Sequence, residues 1–271
     1  MRLGFLLIIL ISSYANAQEY KLVWADEFNK EGQPDSANWN YEYGYVRNNE
    51  LQWYQPANAG CTDGFLVIEA RRVQQSNPNF EQGSTNWRKS RDSIYYTSSC
   101  LITKNKQSWQ YGRFEMRARI NISNGIWPAW WTLGVSKPWP ANGEIDIMEF
   151  YRGKLLANIA CLGAANKTEW HSNTFPVDSM GGKKWSEQFH IWRMDWTKEY
   201  IALYCDDQLL NKTALSLLDN KDGSAFNPFR QPHYMLLNLA IGGQNGGDPS
   251  GTTFPKKLEV DYVRVYQQED K

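Results

Sequence analysis

The chain carries no surplus of charge: among its 271 residues, 29 Lys and Arg stand against 29 Asp and Glu. Without Arg2, which falls in the leader described below, the count is 28 against 29, a net charge of −1. No basic face is implied, so nucleic acid is not an expected partner and a polyanionic substrate gains no support. Beyond the N-terminus no apolar run is long enough to cross a bilayer, so membrane insertion is not expected either. Cysteine is sparse, at four: Cys61, Cys100, Cys161 and Cys205, with no CxxC pair. One or two disulfides and buried free thiols both stay open, because a domain of this size does not need staples. There is no GxSxG elbow, and no cysteine sits in a local reactive-thiol signature, which argues against serine and cysteine hydrolases. The stretch "GGQNGG" (242–247) lacks the Lys-Ser/Thr ending of a phosphate loop and reads as a turn.

The first residues form a leader. A basic start at Arg2, an apolar stretch from Leu6 to Ile11 and the small-residue pattern Ala15-Asn16-Ala17 describe a secretory signal peptide over 1–17. The functional domain is then 18–271, exported to the periplasm or the extracellular space. Helical periodicity, internal repeats and linkers are scarce. Short alternating runs recur instead, at 65–73, 112–120, 127–134, 144–151, 189–196, 200–207, 233–241 and 258–267, with Gly, Pro, Asn and Asp clusters between them. Many short strands separated by turns predict an all-β sandwich or barrel. Asp206-Asp207 reads as a hairpin turn. The one expected helix is short, at Thr213 to Leu218. The polar stretch from Gln74 to Ser93 is long for a connection and is either mobile or part of a binding rim.

Aromatic residues are abundant: 13 Trp and 15 Tyr in an otherwise polar chain. Such side chains pair an apolar face with a hydrogen-bonding edge, and sugar rings offer the matching C–H faces and hydroxyl rims. Most of these aromatics are expected in the core.

The stretch "GEIDIMEF" (143–150) places three carboxylates in an apolar run. On a strand, Glu144 and Asp146 share one face, and Ile145 and Ile147 the other. Strict alternation would bury Glu149 with the isoleucines, at a cost of several kcal/mol. One extra residue absorbed near Ile147-Met148 repairs the parity, and β-bulges concentrate beside active sites. Glu144, Asp146 and Glu149 are therefore expected in one row. Three neighbouring acids repel, so at least one holds its proton near neutrality. Retaining glycoside hydrolysis needs this combination: an ionised carboxylate nucleophile and a protonated carboxyl about 5–5.5 Å away.

The longer stretch "WPANGEIDIMEF" (139–150) resembles the signature of glycoside hydrolase family 16 in its bulged E-x-D-x-x-E form, found in laminarinase-like β-glucanases and red-algal galactanases. "LVWADEFN" (22–29), "NNELQWY" (48–54), "YGRFEMRARI" (111–120), "GIWPAWW" (125–131), "LLNLAIGG" (236–243) and "VDYVRVYQ" (260–267) agree in order. The resemblance implies a β-jelly-roll sandwich, concanavalin-like, with an open cleft on its concave face. It implies Glu144 as nucleophile, Glu149 as general acid/base, and Asp146 between them as the hydrogen-bonding partner of the nucleophile. It places Trp127 and Trp131 in the cleft as sugar platforms, and Trp130 in the core. Asn48, Glu50 and Trp53 resemble cleft-rim residues, although a plain turn and strand start fit them nearly as well.

The resemblance also implies a structural calcium held by Glu27, Gly64 and Asp261, with no cofactor for catalysis. One departure stands out. Many glucanase relatives carry histidine on the strand after the acids, whereas "LLANIACLGA" (155–164) has none. Trp170 and His171, read as a loop after that strand, are candidates to line the cleft instead. The expected activity is endo-cleavage of β-1,3- or mixed β-1,3/1,4-glucan with retention, by a monomer whose partner is its polysaccharide. The alternative enzyme is a galactanase on agar, porphyran or carrageenan. Sulfated substrates would select cleft cations, for which Arg47, Arg88, Arg91 and Arg152 are candidates. A non-catalytic carbohydrate-binding protein is the third reading, weakened by the presence of both glutamates.

Overall fold

The computed structural model describes residues 20–269. The expected leader, residues 1–17, lies outside them. In chain order the first strands are β1 (Tyr20–Asp26), β2 (Asn40–Tyr41), β3 (Gln52–Tyr54), β4 (Ala59–Thr62), β5 (Phe65–Ser76), β6 (Ser93–Ser98), β7 (Cys100–Ile102) and β8 (Gly112–Arg119). Then come β9 (Ile126–Gly134), β10 (Glu144–Tyr151), β11 (Lys154–Leu162) and β12 (Thr168–Pro176). The last are β13 (His190–Trp196), β14 (Tyr200–Cys205), β15 (Gln208–Ala214), β16 (His233–Ile241) and β17 (Lys256–Gln268). Each of the eight alternating runs forms or carries one of these strands.

Two sheets pack face to face. One runs β15-β14-β13-β8-β17-β5-β6-β3, with β1 added on β17 and β4 on β5. The other runs β12-β11-β10-β9-β16-β7-β2. Period-two alternation explains the arrangement. In β8, "GRFEMRAR", Phe114, Met116 and Ala118 point into the sandwich, while the residues between them face outward. From the other sheet, Ile145, Trp130, Leu237 and Leu239 meet them in one apolar cluster. Strands β9 and β16 are buried along nearly their whole length, because their second face floors a cleft. Among the described residues no helix is long and apolar enough to cross a membrane.

One expectation changes, and two that were open are resolved. The Thr213–Leu218 segment is not a helix. β15 continues to Ala214, and only a 3-10 turn at Leu215–Leu217 follows, since Thr213 stays in register with Ile201 of β14. The stretch after β5 is pinned against the segment that carries Tyr45, Asn49 and Glu50. Arg91 donates to the carbonyls of Glu50 (2.6 Å) and Asn49 (2.9 Å), and Arg88 to that of Tyr45 (3.1 Å). All four cysteines are free and buried, and apolar burial pushes the Cys61 and Cys161 thiols up to about 11. The expected Asp206-Asp207 turn does join β14 to β15.

Candidate active site

The register of β10 resolves the parity problem. Against β9, Glu144 faces Leu133 and Asp146 faces Trp131, but Glu149 faces Ala129. Against β11, Asp146 faces Asn158 and Glu149 faces Leu156, so Ile147 and Met148 together oppose Ala157 alone. This is a bulge of two residues against one. Both bulged side chains enter the core, fully buried. Glu149 is thereby returned to the face of Glu144 and Asp146, and all three line one cleft of about 790 Å³. Gly143 allows the entry into this strand. Its φ is +76°, and a Cβ there would lie 2.8 Å from Pro228.

Each acid has its own donors. Trp127 Nε1 donates to Glu149 Oε1 at 2.8 Å. Trp139 Nε1 donates to Glu144 Oε2 at 2.5 Å. Asn158 Nδ2 reaches both Asp146 Oδ2 (3.1 Å) and Glu149 Oε2 (3.2 Å), so one amide bridges the second and third acids. Burial pushes the Glu149 carboxyl up to about 8; the Trp127 N–H works against this shift, and the charge of Glu144 adds to it. Burial, followed by the charges of Glu149 and Glu144, holds Asp146 well above the usual carboxylate range. Burial also raises Glu144, but hydrogen bonds from Trp139 and Asp146 and the Arg47 charge all oppose that shift. The row therefore keeps the Glu149 proton near neutrality and opposes ionisation of Asp146, and Glu144 is the acid best equipped to carry the negative charge.

The remaining cleft residues follow the same grid. Trp127, Ala129, Trp131 and Leu133 line it from β9, and Leu156 and Asn158 from β11. Trp170, Ser172 and Thr174 line it from β12, and Asn238 from β16. Asn48 and Glu50 also line the cleft, Glu50 from a buried position. Asn48 and Asn49 both adopt positive φ, which Asn tolerates, and the Asn48 amide donates to Glu50 at 3.3 Å. Trp130 lies in the core. Trp127 and Trp131 are in the cleft but only 5% and 8% exposed. They act as walls, with the Trp131 N–H fixed on Asn238 at 2.7 Å. The open aromatic faces belong to Trp139 (51%) and Trp170 (46%).

Several candidates are not brought together here. Trp53 packs edge-on against Tyr45, away from the cleft, because in β3 its buried neighbours Gln52 and Tyr54 take the inner face. His171 is on a strand rather than a loop, out of phase with Trp170 and Ser172, and its Nε2 lies 3.6 Å from Glu169. Arg152 is outside the main cleft, in a neighbouring groove, where it donates to the Gln244 carbonyl at 3.0 Å. Arg88 and Arg91 hold the carbonyls of Tyr45, Asn49 and Glu50. Arg47 does reach the cleft, over the Trp131 ring, but it is paired with Glu42.

The two acids of the expected calcium set already have partners. Both Glu27 oxygens are held by Arg264, at 2.7 and 2.8 Å, and Asp261 is held by Arg117 at 2.5 Å. Both carboxylates of the set are thus paired with arginine, which lowers the negative charge they could offer a cation. Sequence reasoning missed Asn158, Asn238 and Trp139. Asn158 sits on the histidine-free strand, directly opposite Asp146, and period-two counting from Leu156 would have pointed to it.

The comparisons agree with this geometry. The family description "Glycosyl hydrolases family 16" matches residues 68–264. A Beta-glucanase of Rhodothermus marinus is 35% identical over 98% of this chain and 94% of its own length. The solved laminarinase of the same organism superposes with a TM-score of 0.74 at 34% identity, covering 93% of this chain and 99% of that one. A structure from work on endo-acting O-glycanases of the human gut microbiota gives a TM-score of 0.83 at 34% identity, covering 92% and 91%. The row of acids on a bulged strand and these matches lead to one assignment: the chain belongs to glycosyl hydrolase family 16.

Proposed function

We propose that the chain is an exported, endo-acting β-glucanase that cleaves β-1,3 or mixed β-1,3/1,4 linkages by double displacement. The observation that carries this reading is the bulge at Ile147-Met148, which sets Glu144 and Glu149 in one cleft. In the first step Glu144 attacks the anomeric carbon, and Glu149 gives its proton to the departing glycosidic oxygen. In the second step the Glu149 carboxylate takes a proton from water, whose oxygen displaces Glu144 with overall retention. Asp146, whose ionisation is opposed by burial and by its two acidic neighbours, donates a hydrogen bond to Glu144. No metal enters these steps, because the two carboxyl groups supply both the nucleophile and the proton.

Charge supports a neutral glucan over a sulfated galactan. All four arginines that could recognise sulfate are engaged: Arg47 by Glu42, Arg88 and Arg91 by backbone carbonyls, and Arg152 by Gln244. Export is supported by the leader pattern in residues 1–17.

A second reading is an endo-glycanase acting on O-glycans, favoured by the higher structural similarity to the gut O-glycanase structure than to the laminarinase. A panel of laminarin, barley β-glucan, lichenan, agarose, porphyran and mucin O-glycans, read by reducing ends, separates these. Release from laminarin or the mixed-linkage glucans is expected, and release from mucin glycans alone would replace the first reading with the second. Within the cleft, Trp170→Ala should raise KM roughly three- to tenfold and leave kcat near wild type, because a stacking face binds substrate and transition state alike. Steady-state kinetics on the hydrolysed glucan checks this.

A further inference from the structure

We propose that Trp139 is the positioning residue of the nucleophile: its indole N–H fixes Glu144 Oε2 while the open face of the same ring receives the sugar. The inference rests on the reading of Glu144 as nucleophile. Both catalytic glutamates accept an indole N–H, but the two indoles differ. Trp127, on Glu149, is a buried wall, whereas Trp139, on Glu144, is half open to the cleft. It stands at the middle of the segment between β9 and β10, and that segment is clamped from behind. Ser136 N donates to Gln231 Oε1 (3.0 Å), Gln231 Nε2 to the Asn142 carbonyl (3.0 Å), and Asn220 to the Ala141 carbonyl (2.8 Å). Gln231 thus ties both ends of the loop, so the ring is presented to Glu144 before substrate arrives.

The contact has two chemical consequences. A donor on one oxygen favours the charged carboxylate and leaves the other oxygen to attack. When the glycosyl-enzyme ester breaks, the same donor stabilises the carboxylate as its charge returns. A sugar on the exposed face would exclude water from this hydrogen bond and strengthen it. The other groups facing Glu144 are Asp146, Glu149 and Tyr151 of its own strand, Arg47 with its partner Glu42, Glu50, and Tyr234 of β16. Strands β9, β11 and β12 place uncharged Leu133, Ala160 and Trp170 in its row. None of these groups changes in a Trp139 variant.

The test compares wild type, Trp139→Phe and Trp139→Ala on the polysaccharide that wild type hydrolyses, from roughly pH 4 to pH 9. Phe keeps the ring and loses the donor. The acidic limb of kcat/KM should move up by about one to two pH units, the scale of one hydrogen bond to a charged group. The alkaline limb, the unfolding temperature and KM should stay near wild type, while kcat falls about tenfold at acidic pH. Trp139→Ala should show the same limb shift and, in addition, a raised KM. An acidic limb unmoved in Trp139→Phe overturns the proposal and leaves Trp139 a sugar platform. Parallel movement of both limbs, or a lowered unfolding temperature, also overturns it by making the role structural. If wild type hydrolyses nothing in the panel, the hydrolase reading falls and takes this inference with it.

Discussion

Glu144→Gln should lose turnover by roughly four orders of magnitude or more, the scale seen when a covalent nucleophile is removed. The amide matches the carboxylate in shape, and its carbonyl oxygen can still accept the Trp139 N–H, so the cleft keeps its form. It cannot form the ester. Oligosaccharide binding should therefore persist, and calorimetric titration of the inactive variant would show it. Glu144→Gly opens a space on the same side of the sugar. Azide entering that space should restore turnover and give a glycosyl azide of inverted, α configuration. Normal hydrolysis by Glu144→Gln would remove Glu144 from the mechanism.

Glu149→Gln should fall less, by about 10²- to 10⁴-fold, the usual contribution of a general acid. The direction of its pH dependence follows from the carboxyl being raised to about 8 by burial. The protonated form is the active one. Wild-type kcat/KM should then decline as pH rises through about 8, and that limb should vanish in Glu149→Gln, whose amide does not titrate. Substrates with a good leaving group need no proton in the first step, so kcat/KM of the variant should recover on aryl glycosides, while kcat stays low because hydrolysis of the ester still lacks its base. An alkaline limb that survives in the variant would assign the proton donor elsewhere. Asp146, opposite Asn158 and sharing its amide, is the group to examine in that event.

The bulge was legible in the sequence because a buried unpaired carboxylate is so costly that Glu149 could not follow strict alternation. The same parity separated Trp130 from Trp127 and Trp131. What parity could not show was how far a cleft residue is open. Trp127 and Trp131 have their faces covered, and the exposed rings are Trp139, on a loop closed by Gln231, and Trp170. Strand β12 was read as a loop because "TEWHSNTFP" stands at a sheet edge with little apolar patterning. That error carried His171 into the cleft. Arg88 and Arg91 are sulfate candidates for the galactanase alternative on sequence alone, because their acceptors, the carbonyls of Tyr45, Asn49 and Glu50, lie some forty residues away in the chain. Glu27 and Asp261 were assigned to calcium before their arginine partners on β8 and β17 could be known. Long-range pairing, rather than local pattern, decided each of these residues.

The account turns on which acid bonds to the sugar. Incubation with a 2-deoxy-2-fluoro glycosyl fluoride of the hydrolysed oligosaccharide should trap the glycosyl-enzyme, and peptide mass spectrometry locates the label. A fluorosugar ester on Glu144 is the predicted result. A label on Asp146 or Glu149 would contradict the assignment of roles along the bulged strand.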